Sequence, residues 1–201
     1  RGTDLETDSG GQSFLCRTPD GRTQSVRLPA PGSHMACDAL AALAAADWLG
    51  VPLPDAARAL AGYIPPKMRQ VISQEGGVLL IDDSYNASPD SMRSALGLLA
   101  GQEISGQRFA VLAGMRELGD YTQQGHLETG AYAKELGIDT LIAVGELGEI
   151  IAEGYGPGAI CAKDNAQAWE LLRELLRPGD AVLVKGSRGM KTEEIVEKIK
   201  E

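Results

Sequence analysis

Val78-Leu79-Leu80-Ile81-Asp82-Asp83-Ser84-Tyr85-Asn86-Ala87-Ser88-Pro89-Asp90-Ser91-Met92 carries the fold of this chain in miniature. Val78–Ile81 is an uninterrupted apolar run, the pattern of a strand covered on both faces. The polar run after it does not continue that pattern. Ser88 offers a side-chain acceptor to the free N–H groups of a helix start. Pro89 fits the first helical position, where its missing donor is not needed, and Asp90 complements the positive helix end. Met92, Ala95, Leu96 and Leu99 then keep the i, i+3, i+4, i+7 spacing of a helix with one apolar stripe. The stretch reads strand, loop, helix.

The same unit recurs toward the C-terminus. Phe109–Ala113, Thr140–Val144 and Ala181–Val184 are further short apolar runs. Leu171, Leu172, Leu175 and Leu176 form a stripe behind Asp164, a candidate N-cap, and Ile195, Val196 and Ile199 form the last one. Strand–helix alternation predicts an α/β, Rossmann-like fold, a mostly parallel sheet wound by helices. Toward the N-terminus the pattern stops at Tyr63-Ile64-Pro65-Pro66-Lys67, where two prolines forbid helix. A domain boundary is placed there, between residues 1–64 and 65–201. In the first part, Ser13–Arg17 and Gln24–Leu28 alternate around Pro19-Asp20-Gly21 and predict a small β-hairpin. Ala36–Leu49, closed by Gly50, predicts one helix, and Pro54 opens a second that ends at Gly62.

Composition narrows the class. The chain has 201 residues, of which 43% are hydrophobic and 23% charged. At this length roughly 70% of the unfolded chain's surface is buried on folding, so a core forms without staples. Nineteen Lys and Arg against 28 Asp and Glu give a net charge of −9. That balance argues against nucleic acid as a partner, which bulk positive charge would have to attract. Cys16, Cys37 and Cys161 are odd in number and widely spaced, which suits a reducing, cytoplasmic setting rather than a disulfide framework. Ala39–Leu49, the most apolar stretch, is too short to span a bilayer, so no membrane insertion is expected. The chain starts at Arg1 without a Met and is expected to be a fragment or a processed product.

In an open parallel sheet, ligands bind beyond the carboxyl ends of the strands. After Val78–Ile81, the helix cap explains Ser88, Pro89 and Asp90 but not Asp82, Asp83, Tyr85 and Asn86. A carboxylate at a strand end can accept both ribose hydroxyls; an aromatic ring can stack on a purine, and an amide can read its edge. After Phe109–Ala113 comes Gly114-Met115-Arg116-Glu117-Leu118-Gly119, a Gly-bounded loop. After Ala181–Val184 comes Lys185-Gly186-Ser187-Arg188-Gly189-Met190-Lys191-Thr192. Cations, a hydroxyl and glycines before a helix start make an anion-binding arrangement. P-loop, nucleophile-elbow, H-E-x-x-H and G-x-G-x-x-G patterns are all absent. With His34 and His126 as the only histidines, no metal-ligating residue is expected, and His126 reads as a packing residue.

The Asp82–Met92 stretch resembles a signature of the Mur ligase family. It is similar to the branch that joins D-alanyl-D-alanine to UDP-N-acetylmuramoyl-tripeptide in peptidoglycan synthesis. Residues 31–42, Leu112–Gly119 with Gly137-Ile138-Asp139, and Val184–Arg188 agree with that branch in order and spacing. Ser84-Tyr85-Asn86-Ala87 is the most specific part, since the sister ligases carry a His in this place. The resemblance implies a monomeric, cytoplasmic, three-domain enzyme that uses ATP and Mg2+. Residues 1–64 would be the end of its central ATPase domain and residues 65–201 its C-terminal domain. The P-loop and magnesium ligands would lie ahead of Arg1, leaving the fragment alone inactive.

Carried over residue by residue, the resemblance implies that Arg69 meets ATP phosphates, that Asp83 binds ribose, and that Tyr85 and Asn86 flank adenine. His34 and Asp38 stand where the family contacts adenine, Asp38 replacing an Asn. Lys185 and Arg188 would be catalytic. Ser187, Asp82 and Arg116 would bind the peptide substrate or its acyl phosphate. Two alternatives stay open: another Mur-type or folylpolyglutamate ligase, or a non-catalytic Rossmann-like module that binds a nucleotide or peptide.

Overall fold

Alternating residues of two short strands, paired beside a third, lay down the first core. β1 (Gly2–Asp8), β2 (Gly11–Arg17) and β3 (Thr23–Leu28) form an antiparallel sheet in that order. The expected hairpin is β2–β3, in register from Arg17 opposite Thr23 to Gln12 opposite Leu28. β1 is a strand that the sequence pattern did not announce. Its residues are mostly exposed, and its pairing breaks register between Thr3 and Glu6, around Asp4 at φ 56°. An edge strand held by backbone pairing needs no apolar alternation. Phe14, Cys16, Val26 and Leu28 pack against Ala36, Ala39 and Leu43 of α1 (Ser33–Trp48) and against Leu53 and Ala57 of α2 (Leu53–Ala61). Pro54 lies in the first turn of α2, as its missing donor allows. The computed structural model describes residues 1–8, 11–30 and 32–201, in two units, Arg1–Pro65 and Pro66–Glu201.

The second unit alternates strand and helix as expected from β5 onward, with two strands, β4 and β8, that the sequence did not announce: β4 (Val71–Glu75), β5 (Val78–Asp83), α3 (Pro89–Ala100), β6 (Arg108–Ala113), α4 (Thr122–Glu135), β7 (Thr140–Val144), α5 (Gly145–Tyr155), β8 (Ile160–Ala162), α6 (Asn165–Leu175), β9 (Ala181–Lys185) and α7 (Glu193–Lys200). The sheet order is β4-β5-β9-β6-β7-β8. Only β4 runs antiparallel, turned back onto β5 through Gly76 and Gly77 at φ 59° and 86°, a turn that glycine makes without strain. Successive strand residues feed opposite cores. Ile81, Leu112, Leu141 and Leu183 pack under α3, α4 and α5, whereas Leu80, Val111, Ile142 and Val184 pack under α6 and α7. Cover on both faces is why the strands read as continuous apolar runs.

Three crossovers, through α3, α4 and α5, advance along one face. The chain then returns beneath the sheet through α6 and inserts β9 between β5 and β6. That reversal creates the crevice where open sheets bind ligands. Ser88 caps α3 as expected, and Ser91 completes a capping box: Ser91 N–H donates to Ser88 Oγ and Ser88 N–H to Ser91 Oγ. Asp164 caps α6 by accepting from Gln167 N–H at 2.8 Å.

Candidate functional site

Asp82 and Asp83 end β5, and successive strand residues point to opposite faces. Asp82 is buried, and its Oδ1 accepts both the backbone N–H (3.2 Å) and the hydroxyl (2.5 Å) of Ser84. Through those bonds it shapes the loop. Asp83 lies beside Lys185 in the parallel register of β5 and β9. Lys185 is 1% exposed, and its Nζ donates to Asp83 Oδ2 at 2.5 Å and to the Asn86 carbonyl at 2.9 Å. Burial pushes the Lys185 ammonium below its ordinary pKa. Asp83 pulls the other way and loses, while Arg69 adds to the lowering.

Gln70 N–H donates to Asp83 Oδ1 at 3.2 Å, and Tyr85 N–H donates to the Met68 carbonyl at 3.1 Å. Met68 and Gln70 hold φ of 64° and 51°, a left-handed backbone that non-glycine residues adopt at a cost. These bonds fold the Met68–Gln70 segment over the β5 loop. The Arg69 guanidinium lies 4.3 Å from the centre of the Tyr85 ring. Arg69, Tyr85 and Asn86 are exposed together above the buried pair.

The end of β9 is tied sideways to the end of β6. Ser187 N–H donates to the Gly114 carbonyl at 3.2 Å, and Ser187 Oγ accepts from Arg116 N–H at 2.8 Å. Gly186 has no room for a side chain: a Cβ there would stand 2.8 Å from Ala113 Cβ and 3.0 Å from Thr192 Cγ2. Arg116 is exposed and lays its guanidinium over Gly189. Arg188 is half-exposed and pairs with Glu193. Two guanidinium groups, a fixed hydroxyl and the turn before α7 therefore share one loop cluster.

His126 of α4 is fully buried beneath this cluster. Its Nε2 accepts from Met115 N–H at 2.8 Å, and its Nδ1 stands 2.6 Å from the Thr122 carbonyl, to which it must donate. The packing residue of the sequence analysis is thus also a clamp on the β6 loop. Its local signal was a single polar ring on a face of small residues (Gly125, Thr129, Gly130 and Ala133). Gln70 carried no signal, because its part in the site is played by its backbone N–H.

His34 and Asp38 belong to α1 of the first unit; His34 is half-buried and Asp38 exposed. The other site residues expected from the sequence all lie in the second unit, on the β5, β6 and β9 loops or just ahead of β4. Among the described residues no group of three or more His, Cys, Asp or Glu gathers to hold a metal ion. The arrangement can bind an anion at Arg116, Ser187 and Arg188. It can also present a carboxylate and an Arg–Tyr stack to a nucleoside.

A sheet with these strand-end loops defines a class. Residues 69–188 match the Mur ligase, glutamate ligase domain, and the chain belongs to the Mur ligase family. Within it, the chain is 38% identical over 201 aligned residues to the UDP-N-acetylmuramoyl-tripeptide–D-alanyl-D-alanine ligase of Bacillus subtilis, covering 96% of this chain and 43% of that protein. It is 35% identical to the ligase of the same name from Escherichia coli, covering 99% and 44%. A crystal structure of MurF from Acinetobacter baumannii superposes with a TM-score of 0.89 at 33% identity, covering 98% of this chain and 44% of that one. The chain therefore spans less than half the length of the curated relatives it matches.

Proposed function

We propose that residues 1–64 are the end of a central ATPase domain and residues 65–201 the C-terminal domain of an ATP-dependent ligase. That ligase joins D-alanyl-D-alanine to UDP-N-acetylmuramoyl-tripeptide in the cytoplasm. The observation that carries the reading is the meeting of three strand ends, β5, β9 and β6, with Asp83, Lys185, Ser187, Arg188 and Arg116 held in fixed relation. ATP supplies the phosphoryl group that activates the tripeptide carboxylate, and the dipeptide amine then attacks the activated carbonyl as phosphate leaves.

Asp83 accepts one bond on each oxygen and keeps lone pairs for ribose hydroxyls. The Tyr85 face, backed by Arg69, offers a stacking surface for adenine with a cation at its edge. Arg116, Ser187 and Arg188 orient the oxygens of the carboxylate or its phosphorylated form by bidentate and charge-assisted hydrogen bonds. Positioning and charge screening of this kind are what phosphoryl transfer asks of a protein. Lys185 directs two of its three N–H groups to Asp83 and Asn86. Its first action is therefore to set the β5 loop, and one donor is left for the substrate. The ligands of Mg2+ are assigned outside the described residues.

ADP release by the complete ligase tests the reading. ADP should form only when the tripeptide nucleotide and D-alanyl-D-alanine are both present. Turnover with a single amino acid in place of the dipeptide would assign a sister ligase instead. No turnover at all would leave a binding module. In sedimentation the complete ligase should run as a monomer. No helix among the described residues is long and apolar enough to cross a membrane.

A further inference from the structure

Asn165 opens α6, on the far side of β9 from the β5 loop, yet its side chain reaches the loop that carries Arg188. Its Nδ2 stands 2.9 Å from the Met190 carbonyl oxygen, 3.0 Å from the Lys191 carbonyl oxygen and 2.9 Å from Glu194 Oε2. An amide has two N–H donors, so they are shared among three acceptors. Those acceptors belong to the 3-10 turn Arg188–Met190, to Lys191 and to the first turn of α7. Lys191 sits at φ 51°, and a non-glycine residue stays left-handed only where its surroundings over-determine it.

Asn165 is not needed to cap its own helix, because Asp164 already accepts from Gln167 N–H. Its Oδ1 is buried without a hydrogen-bond partner. Leaving an acceptor unpaired is unfavourable, so the side chain is kept for its donors. The loop is then pinned at two places. Ser187 ties it to Gly114 and Arg116, and Asn165 ties Met190 and Lys191 to α6. Arg188 lies between the pins. Its guanidinium, paired with Glu193 and half-exposed, takes its direction from that stretch of backbone.

We propose that Asn165 is a positioning residue that fixes the 188–191 turn, and through it the direction of Arg188 toward the anionic group of the substrate. The role rests on the ligase reading above. Two readouts separate the two claims: amide hydrogen exchange, and steady-state kinetics of the complete ligase in a double-mutant cycle. In Asn165→Ala, exchange of the Met190 and Lys191 amides should accelerate about tenfold or more while Leu172 in the α6 core stays protected. kcat/KM should fall about tenfold, and the same substitution placed on Arg188→Ala should change it less than about twofold, because coupled residues are not additive. Asn165→Asp, which has no donors and sets a carboxylate against two carbonyls and Glu194, should be worse than Asn165→Ala in both readouts. Unchanged exchange in an active enzyme overturns the positioning role alone. So does an equal loss of kcat/KM in both backgrounds, which would mark general loosening. A wild-type ligase that releases no ADP overturns the ligase reading, and this role with it.

Discussion

Two cation–carboxylate pairs sit at the same end of β9, three residues apart, and they do opposite work. The Lys185 and Asp83 side chains are 1% and 8% exposed, those of Arg188 and Glu193 55% and 21%. In the first pair water is gone. The cost of desolvating the ammonium outweighs the pull of Asp83, and the pair stands because the Asn86 carbonyl and Gln70 N–H complete it. The second pair is open to water on its Arg188 side, so its net contribution is about 0–1 kcal/mol, and an incoming anion can compete with Glu193 for the guanidinium. One chemistry thus builds the floor of the site when buried and a ligand-ready arm when exposed.

The largest effect should come from breaking the floor. Lys185→Met leaves Asp83 buried without its cation, and unfolding free energy should drop by about 3–5 kcal/mol in urea denaturation. Lys185→Met with Asp83→Asn removes both charges and should recover most of that loss. A double variant no more stable than the single would mean that the cost lies in packing, and the contrast between the pairs would fail. pH gives a second handle. Burial lowers the Lys185 pKa, so between that value and the ordinary lysine value of 10.5 the unfolded chain holds a proton that the folded chain has released. Stability rises with pH wherever the unfolded state binds more protons. Wild type should therefore gain on the double variant as pH climbs through that window, and below it should carry the full burden of the buried charge. A gap that stays flat or narrows would show that Lys185 is not held down by its burial.

A neutral buried contact should fall between the two pairs. His126→Ala removes a ring and leaves Met115 N–H without its acceptor, with no charge stranded. The expected loss is about 2–3 kcal/mol, from the cavity and the unpaired donor. A loss as large as that of Lys185→Met would show that desolvated charge is not what sets the floor apart.

The strand–loop–helix reading of residues 78–92 held because β5 is covered on both faces and α3 carries its cap in its own sequence. β1, β4 and β8 were not legible for the converse reason. β1 and β4 alternate weakly or not at all, and β8 has only three residues. The strand-end rule located the loops of the site, since apolar runs show where strands stop. It did not show which way a side chain there turns. Lys185 after an apolar run reads as the first solvated residue, yet it is the most buried cation of the site. Its partner is 102 residues away, and only the parallel register of β5 and β9 brings the two together. Asn165 and the Gln70 backbone were invisible for the same reason, because long-range pairing leaves no local trace.

The smallest effect is the sharpest test of the exposed arm. Arg188→Ala and Glu193→Gln should each move stability by no more than about 0.5 kcal/mol, as solvated pairs do. Their kinetics should diverge. Arg188→Ala removes a donor to the substrate's anionic group and should lower kcat/KM of the complete ligase. Glu193→Gln removes only the internal competitor. Gln keeps the carbonyl oxygen that can still accept from Arg188, and the other oxygen, Glu193 Oε2, has no hydrogen-bond partner to lose. With that competition gone, the KM of the tripeptide nucleotide should fall by about twofold, the scale of a solvated ion pair. A KM that instead rises tenfold would mean that Glu193 holds Arg188 in place as Asp83 holds Lys185. The two pairs would then be two parts of one fixed floor.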